Sequence, residues 1–310
     1  MSFKTFLFIV FSFSGISASA QRLISFKTET NPDRTVSIYA NSQAYGEYTG
    51  RISFTSLSGF TTRSMTTQDI AIVRINRGNA EVMRFTRENS FTGPSLQYKT
   101  QYFPGRSFRK MPDTTFEYLI PSNAGNRVRV TGISSTVSPL SQKLGGEYRG
   151  TAFACKLNDT ICAARGGIVF FTSDTALEAE KKETAYKSGR NRVEIQHRDG
   201  TLGNYGISSP IKLLVSSGDE VIPGQPLAVF NTESEKYRLY FSISYLDEEK
   251  LIADIGFNNN LYYVYMPAYF YGSENERPGN LQLGKEYIAL RSAAIVSSEM
   301  TKREKKKFGF

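Results

Sequence analysis

Apolar and polar residues alternate at period two along most of this chain, and that rhythm predicts β-strands nearly throughout. Six stretches before residue 140 carry it: TVSIYANS, YTGRISFTSL, DIAIVRIN, AEVMRFTR, SLQYKTQYF and NRVRVTGIS. Turn chemistry separates them at Asn31-Pro32, Gly93-Pro94, Pro104-Gly105 and Asn123-Ala124-Gly125. A second series follows residue 147: TICAARGGIVFF, NRVEIQHRD, LGNYGIS, IKLLVSSGDEVIPGQPLAVF and YRLYFSISYLD. NNLYYVYMPAYFYGS and KEYIALRSAAIVS extend the pattern beyond residue 251. Helical periodicity is rare. The charged stretch DTALEAEKKETAYKSGRN reads as a surface excursion with a short helix, and Thr301 with Glu304 reads as a capping box opening a short C-terminal helix.

Strands of this length and spacing predict a mainly all-β chain. Residues 21–140 read as an antiparallel β-sandwich of immunoglobulin-like type. The Ser-, Pro- and Gly-rich stretch TVSPLSQKLGG reads as a linker or entry loop. Residues 141–250 form a second antiparallel β domain, and 251–310 a C-terminal β extension with a basic tail. Composition agrees: 18 Tyr and 22 Phe with no Trp suit half-buried strands.

The first twenty residues stand apart. Lys4, the apolar run FLFIVFSFSGI and the small-residue exit Ala18-Ser19-Ala20 have the three parts of a secretory signal peptide. The apolar run is too short to span a bilayer, and no later segment is apolar enough to do so. The chain is therefore expected to be exported. Its net charge of +9 is uneven: the front is basic, residues 141–300 are mildly acidic, and the last ten residues hold five cations and one acid. The stretch YKTQYFPGRSFRK interleaves cations with aromatic residues but reads as a solvated strand face, and no nucleic-acid partner is assigned. The run Lys305-Lys306-Lys307 reads as a solvated tail or as a tether to anionic envelope polymers.

Cys155 and Cys162 are the two cysteines. In an exported chain they are expected to be bridged, which would contribute at most about 2.5 kcal/mol through so short a loop. Two buried thiols on neighbouring strands are the alternative. Neither reading makes a metal site.

Four segments in order give residues 148–230 and their continuation to 243 a family likeness. YRGTAFACKLNDTICAARGGIVF, NRVEIQHRDGTLGNYGI, VSSGDEVIPGQPLAVF and YRLYFSI resemble successive motifs of the M23 zinc metallopeptidases, the lysostaphin type, which cut peptide cross-bridges of peptidoglycan. The resemblance assigns the two ligands of the HxGxD motif to Tyr148 and Ala152, and the third ligand to Tyr240. The assisting base falls on Arg238, and the transition-state histidine on Ile207. All five differ from the family pattern. The single histidine, His197, matches none of them and reads as a turn residue beside Asp199 and Gly200.

A catalytic zinc needs three side-chain donors and an open position for water. Ala152 has no donor atom, and phenols would have to ionise from a pKa near ~10. Glu147 and Asp159 are the nearby acids, and two carboxylates without imidazole make a poor site. The resemblance thus implies a non-catalytic M23-like envelope protein with no metal and no cofactor. Tyr148, Ala152, Ile207, Arg238 and Tyr240 would mark its vacated groove. Its expected partners are peptidoglycan, a cell-wall hydrolase or another envelope protein, and its expected location the periplasm or outer envelope of a Gram-negative bacterium. The rival reading is a divergent M23-type metalloendopeptidase. A third makes the M23-like part structural, with the sandwich docking a partner.

Overall fold

The computed structural model describes residues 23–88, 93–136, 148–173, 191–208, 211–231, 237–253, 262–272 and 281–310. The expected signal peptide at 1–20, the expected linker at 136–146 apart from Thr136, Glu147, and the charged stretch at 174–191 apart from Asn191 lie outside them. The protein is mainly β and divides into two compact units, one running to Arg106 with a short piece from Leu251, the other from Ser107 onward.

The first unit contains β1 (Ile24–Thr30), β2 (Val36–Ser42), β3 (Tyr48–Ser58), β4 (Phe60–Thr61), β5 (Ile70–Ile75), β6 (Gly78–Arg87) and β7 (Ser95–Pro104). They form two antiparallel sheets, ordered β1-β2-β6-β4 and β5-β3-β7. The alternation explains the layering. Ile38, Ile52, Ala71, Ile75, Met83 and Phe85, drawn from both sheets, are buried in one apolar cluster. Glu47 joins the strand ends by accepting from Arg106 and pairing with Arg74.

The second unit begins with β8 (Ser107–Phe108), β9 (Glu117–Tyr118), β10 (Arg127–Thr136), β11 (Tyr148–Ala154), β12 (Thr160–Cys162), β13 (Gly167–Ser173), β14 (Asn191–Gln196) and β15 (Leu202–Ile207). It continues through β16 (Ile211–Leu213), β17 (Glu220–Val221), β18 (Pro226–Phe230), β19 (Arg238–Asp247), the first half of α1 (Glu248–Ala253), β20 (Tyr263–Met266), β21 (Tyr269–Phe270) and β22 (Glu286–Ile288). Helices α2 (Ala293–Val296) and α3 (Lys302–Phe308) end it. Its main sheet is ordered β17-β13-β14-β15-β19-β11-β10-β22, with β20 and β8 also pairing on β19. A second small sheet, β12-β18-β16, closes the core.

Two sequence expectations meet a different arrangement. The stretch NRVRVTGIS, read as the last strand of the N-terminal sandwich, is β10, and it pairs with β11 on one side and β22 on the other. Alternation predicts a strand but not its partner, which long-range register decides. The disulfide is absent: Cys155 and Cys162 are free thiols. The Cys162 thiol donates to Asn123 Oδ1 at 3.3 Å from the small sheet, whereas Cys155 follows β11 of the main sheet and contacts the Phe153 carbonyl. Burial, then the Asp159 charge, pushes the Cys155 thiol up to about 12. Burial also raises that of Cys162.

β19 runs through the middle of the main sheet and sets its two faces. Leu239, Phe241, Ile243 and Tyr245 point into the core and are at most 6% exposed. Phe241 touches Tyr205, Phe270 and Tyr118 at ring separations of 5.0, 5.8 and 5.9 Å.

Beside that core sits a buried polar hub. Arg165 donates to Glu299 at 2.8 Å and to Asp199 at 2.9 Å, and its guanidinium lies 3.7 Å over the Phe116 ring. Burial opposes its charge, but the bonds to Glu299 and the fields of Tyr118 and Asp199 outweigh this and raise its pKa. The His197 ring stands next to it, its Nδ1 donating to the Gly166 carbonyl at 3.0 Å. Its backbone closes the β14–β15 turn, accepting from Gly200 at 2.9 Å, where Gly200 takes a φ of 98°. His197 is thus a buried turn residue, as its position beside Asp199 and Gly200 predicted.

Among the described residues no helix is long and apolar enough to cross a membrane.

Two outcomes test this packing. Phe241→Ala removes the central ring and should lower unfolding free energy by about 3–5 kcal/mol in urea titrations. The second concerns pH. Burial, then Arg165, holds His197 down to about 3, below its ordinary 6.5. Between those values the unfolded chain binds a proton that the native one does not, so stability present above 6.5 is lost as pH falls toward 3. Asp199 adds in the same direction: burial opposes its charge, but Arg165 and the bonds from Thr201 hold its pKa below 3.8. Over that range His197→Asn should flatten the stability profile by up to about 1.4 kcal/mol per pH unit.

Candidate functional site

Side chains alternate across a strand, and residues directly opposite on neighbouring strands share a face. Tyr148, Gly150 and Ala152 therefore lie on one face of β11. Ala152 is opposite Tyr240 of β19, which is opposite Gly206 of β15, which is opposite Arg192 of β14. Arg238 is opposite Ala154, two residues along the same face of β19. Four of the five positions singled out in the sequence thus converge on one sheet face, turned away from the core.

Ile207 does not join them. It is opposite Leu239 and Asn191, is fully buried, and belongs to the apolar core. A one-residue step along a strand reverses the face, so the position that borders Tyr240 is Gly206.

The Tyr148 ring folds back along its own strand. A Cβ added to Gly150 would come within 2.6 Å of the Tyr148 hydroxyl and 2.9 Å of its Cε1 and Cζ. The ring therefore covers the strip between positions 148 and 152, and only glycine leaves room for it. Its edge packs on Tyr265 of β20, with centroids 4.8 Å apart at 64°. Burial, followed by the fields of Tyr148 and Glu194, raises the Tyr265 phenol above its ordinary value.

The face carries more than the sequence motifs marked. Glu194 and Asn204 are opposite each other, with Ser242 on the far side of Asn204. Asn204 donates to the Ser244 hydroxyl at 3.2 Å. Arg192 pairs with Glu194 at 2.9 Å and lies 4.6 Å over the Phe171 ring. Burial raises the Glu194 carboxyl, and Arg192 offsets only part of that. These residues match no motif; the alternation of NRVEIQ, with Val193 and Ile195 facing the core, is the signal that places Arg192 and Glu194 opposite them.

The donor set does not fit zinc. Among the described residues no three His, Cys, Asp or Glu side chains cluster to hold an ion. At the positions that the sequence resemblance assigns to the ligands stand a methyl group and two phenols, one of them close against a glycine. Asp159 is engaged elsewhere, accepting from the Lys156 amide at 2.7 Å in the turn after β11. The His197 ring is in the hub with Arg165, not on this face. A cavity of about 180 Å³ is lined by Gly150 and Ser242 together with Thr151, Phe241, Met266 and Phe270, and includes none of Tyr148, Ala152, Arg238 or Tyr240.

Residues 146–252 match the model of peptidase family M23. No curated protein matches the chain. Among solved structures it is similar to Helicobacter pylori Csd3 in two crystal forms. The hexagonal form is 12% identical over 73% of this chain and 74% of that one, with a TM-score of 0.29. The orthorhombic form is 12% identical over 94% and 87%, with a TM-score of 0.28. The family assignment therefore rests on the segment 146–252.

The fit of Tyr148 over Gly150 has a direct test. Gly150→Ala should cost about 1–3 kcal/mol by forcing the ring off the strand. In the Tyr148→Ala background the same change should cost much less. The unfolding free energies of the four proteins in this double-mutant cycle measure the coupling.

Proposed function

We propose that this is an exported, non-catalytic M23-like protein of the cell envelope, whose outward sheet face binds peptidoglycan or a hydrolase acting on it, as a scaffold or regulator. The observation that carries the reading is the direct opposition of Ala152 and Tyr240 on a face that also gathers Tyr148 and Arg238. The family fold is kept, and the positions that would hold its ion are occupied by side chains suited to recognition.

The chemistry of that face supports a peptide ligand. Arg238 and Arg192 offer guanidinium groups to carboxylates, such as those of wall stem peptides. Glu194 offers the opposite charge, and Tyr148, Tyr240 and Tyr265 supply flat apolar area with polar tips. Such a face binds without polarising a carbonyl or lowering the pKa of a water.

Purified protein should retain no stoichiometric zinc and release no peptide from isolated sacculi, while cosedimenting with them. Arg238→Ala combined with Tyr240→Ala should weaken that cosedimentation roughly tenfold or more. One tightly held zinc per chain, with chelator-sensitive peptide release, would establish the metalloendopeptidase reading instead.

A further inference from the structure

Helix α3 presents four cations on one side. Its seven residues, KREKKKF, include no buried residue. At about 100° per residue, Lys302, Arg303, Lys306 and Lys307 fall within one arc, and all four are exposed. Glu304 and Lys305, on the other side, are partly covered. No ion pair within the described residues engages any of the four outward cations.

The helix is held in place from its inner side. Thr301 accepts from the Glu304 amide at 3.3 Å, and Glu304 accepts from the Thr301 amide at 2.6 Å, a complete capping box. The Glu304 carboxylate also pairs with Arg198 of the β14–β15 turn, and Arg198 donates to the Glu299 carbonyl. Glu299 is gripped in turn by the buried Arg165. The helix's only acid is thus turned inward and neutralised, and the outward side is left purely cationic.

Such an array is self-repelling. Lys302 with Lys306 and Arg303 with Lys307 are like-charge pairs four residues apart, which disfavour a helix in water. An anionic surface relieves that repulsion. Phe308 falls between Glu304 and Lys305 on the inner side, but Phe310, 45% exposed, leaves the helix beyond a left-handed Gly309. Cations beside an exposed terminal phenylalanine suit a bilayer's interfacial layer, where headgroups take the charge and the ring leaves water. A hydrated wall polymer would use only the charge.

We infer that α3 docks this protein onto an anionic lipid surface, through Lys302, Arg303, Lys306 and Lys307 with Phe310 at the end of the contact. The site is separate from the sheet face discussed above and does not depend on its ligand.

Vesicles of phosphatidylglycerol in phosphatidylcholine, compared with phosphatidylcholine alone, test the inference in a sedimentation assay with purified protein. Partition should be at least about tenfold stronger on the anionic vesicles and should fall as salt rises from about 0.05 to about 0.5 M. Replacing the four cations by Gln, which keeps helix propensity, should abolish the preference while leaving the circular dichroism spectrum and sacculus binding unchanged. Phe310→Ser should weaken binding several-fold without altering its salt dependence. Equal binding to both vesicles, undiminished binding of the Gln variant, or binding to a soluble polyanion without binding to vesicles would each overturn it.

Discussion

Side-chain alternation along β19 is the constraint on which the second unit depends. Odd-numbered residues from Leu239 to Tyr245 fill the core, so even-numbered ones from Arg238 to Ser244 must face the other way. A sheet needs only the first set to be apolar. The second set carries the half-buried Arg238 and Tyr240, while Ser242 and Ser244 are covered at 5% and 4% exposure. A core-facing apolar row and a polar row thus run along the same ten residues.

The polar hub of Arg165 plays a complementary part. An arginine 3% exposed is tolerated only because Glu299, Asp199 and the Phe116 ring surround it. Those partners come from widely separated parts of the chain, so one side chain ties the β14–β15 hairpin to the C-terminal helices. His197 accepts the cost of standing next to that charge by remaining neutral. Its burial is that of a structural turn, and the solitary imidazole of the chain is accounted for without chemistry.

Local features were legible in the sequence, and long-range ones were not. The capping box at Thr301 and Glu304 is a matter of spacing within one turn and forms as read. Tyr148, Ala152, Arg238 and Tyr240 share a face because i, i+2 and i+4 positions on a strand must. Ile207 was assigned to the groove by motif order, but its neighbour Gly206 faces Tyr240; a motif counts residues and carries no pleat phase. The partnership of β10 with β11 was hidden because alternating sequences look alike until register chooses among them. Glu194 and Arg192 escaped notice because no motif contains them. Only their alternation with Val193 and Ile195, which are buried, marks their direction.

The two thiols have a consequence for biogenesis. Cys162 is hydrogen-bonded to Asn123, and burial keeps both sulfurs protonated. A native state with no covalent crosslink requires no oxidant to reach it and offers little thiolate for exchange with another chain. Buried and protonated, the two thiols are poorly placed to attack an external disulfide.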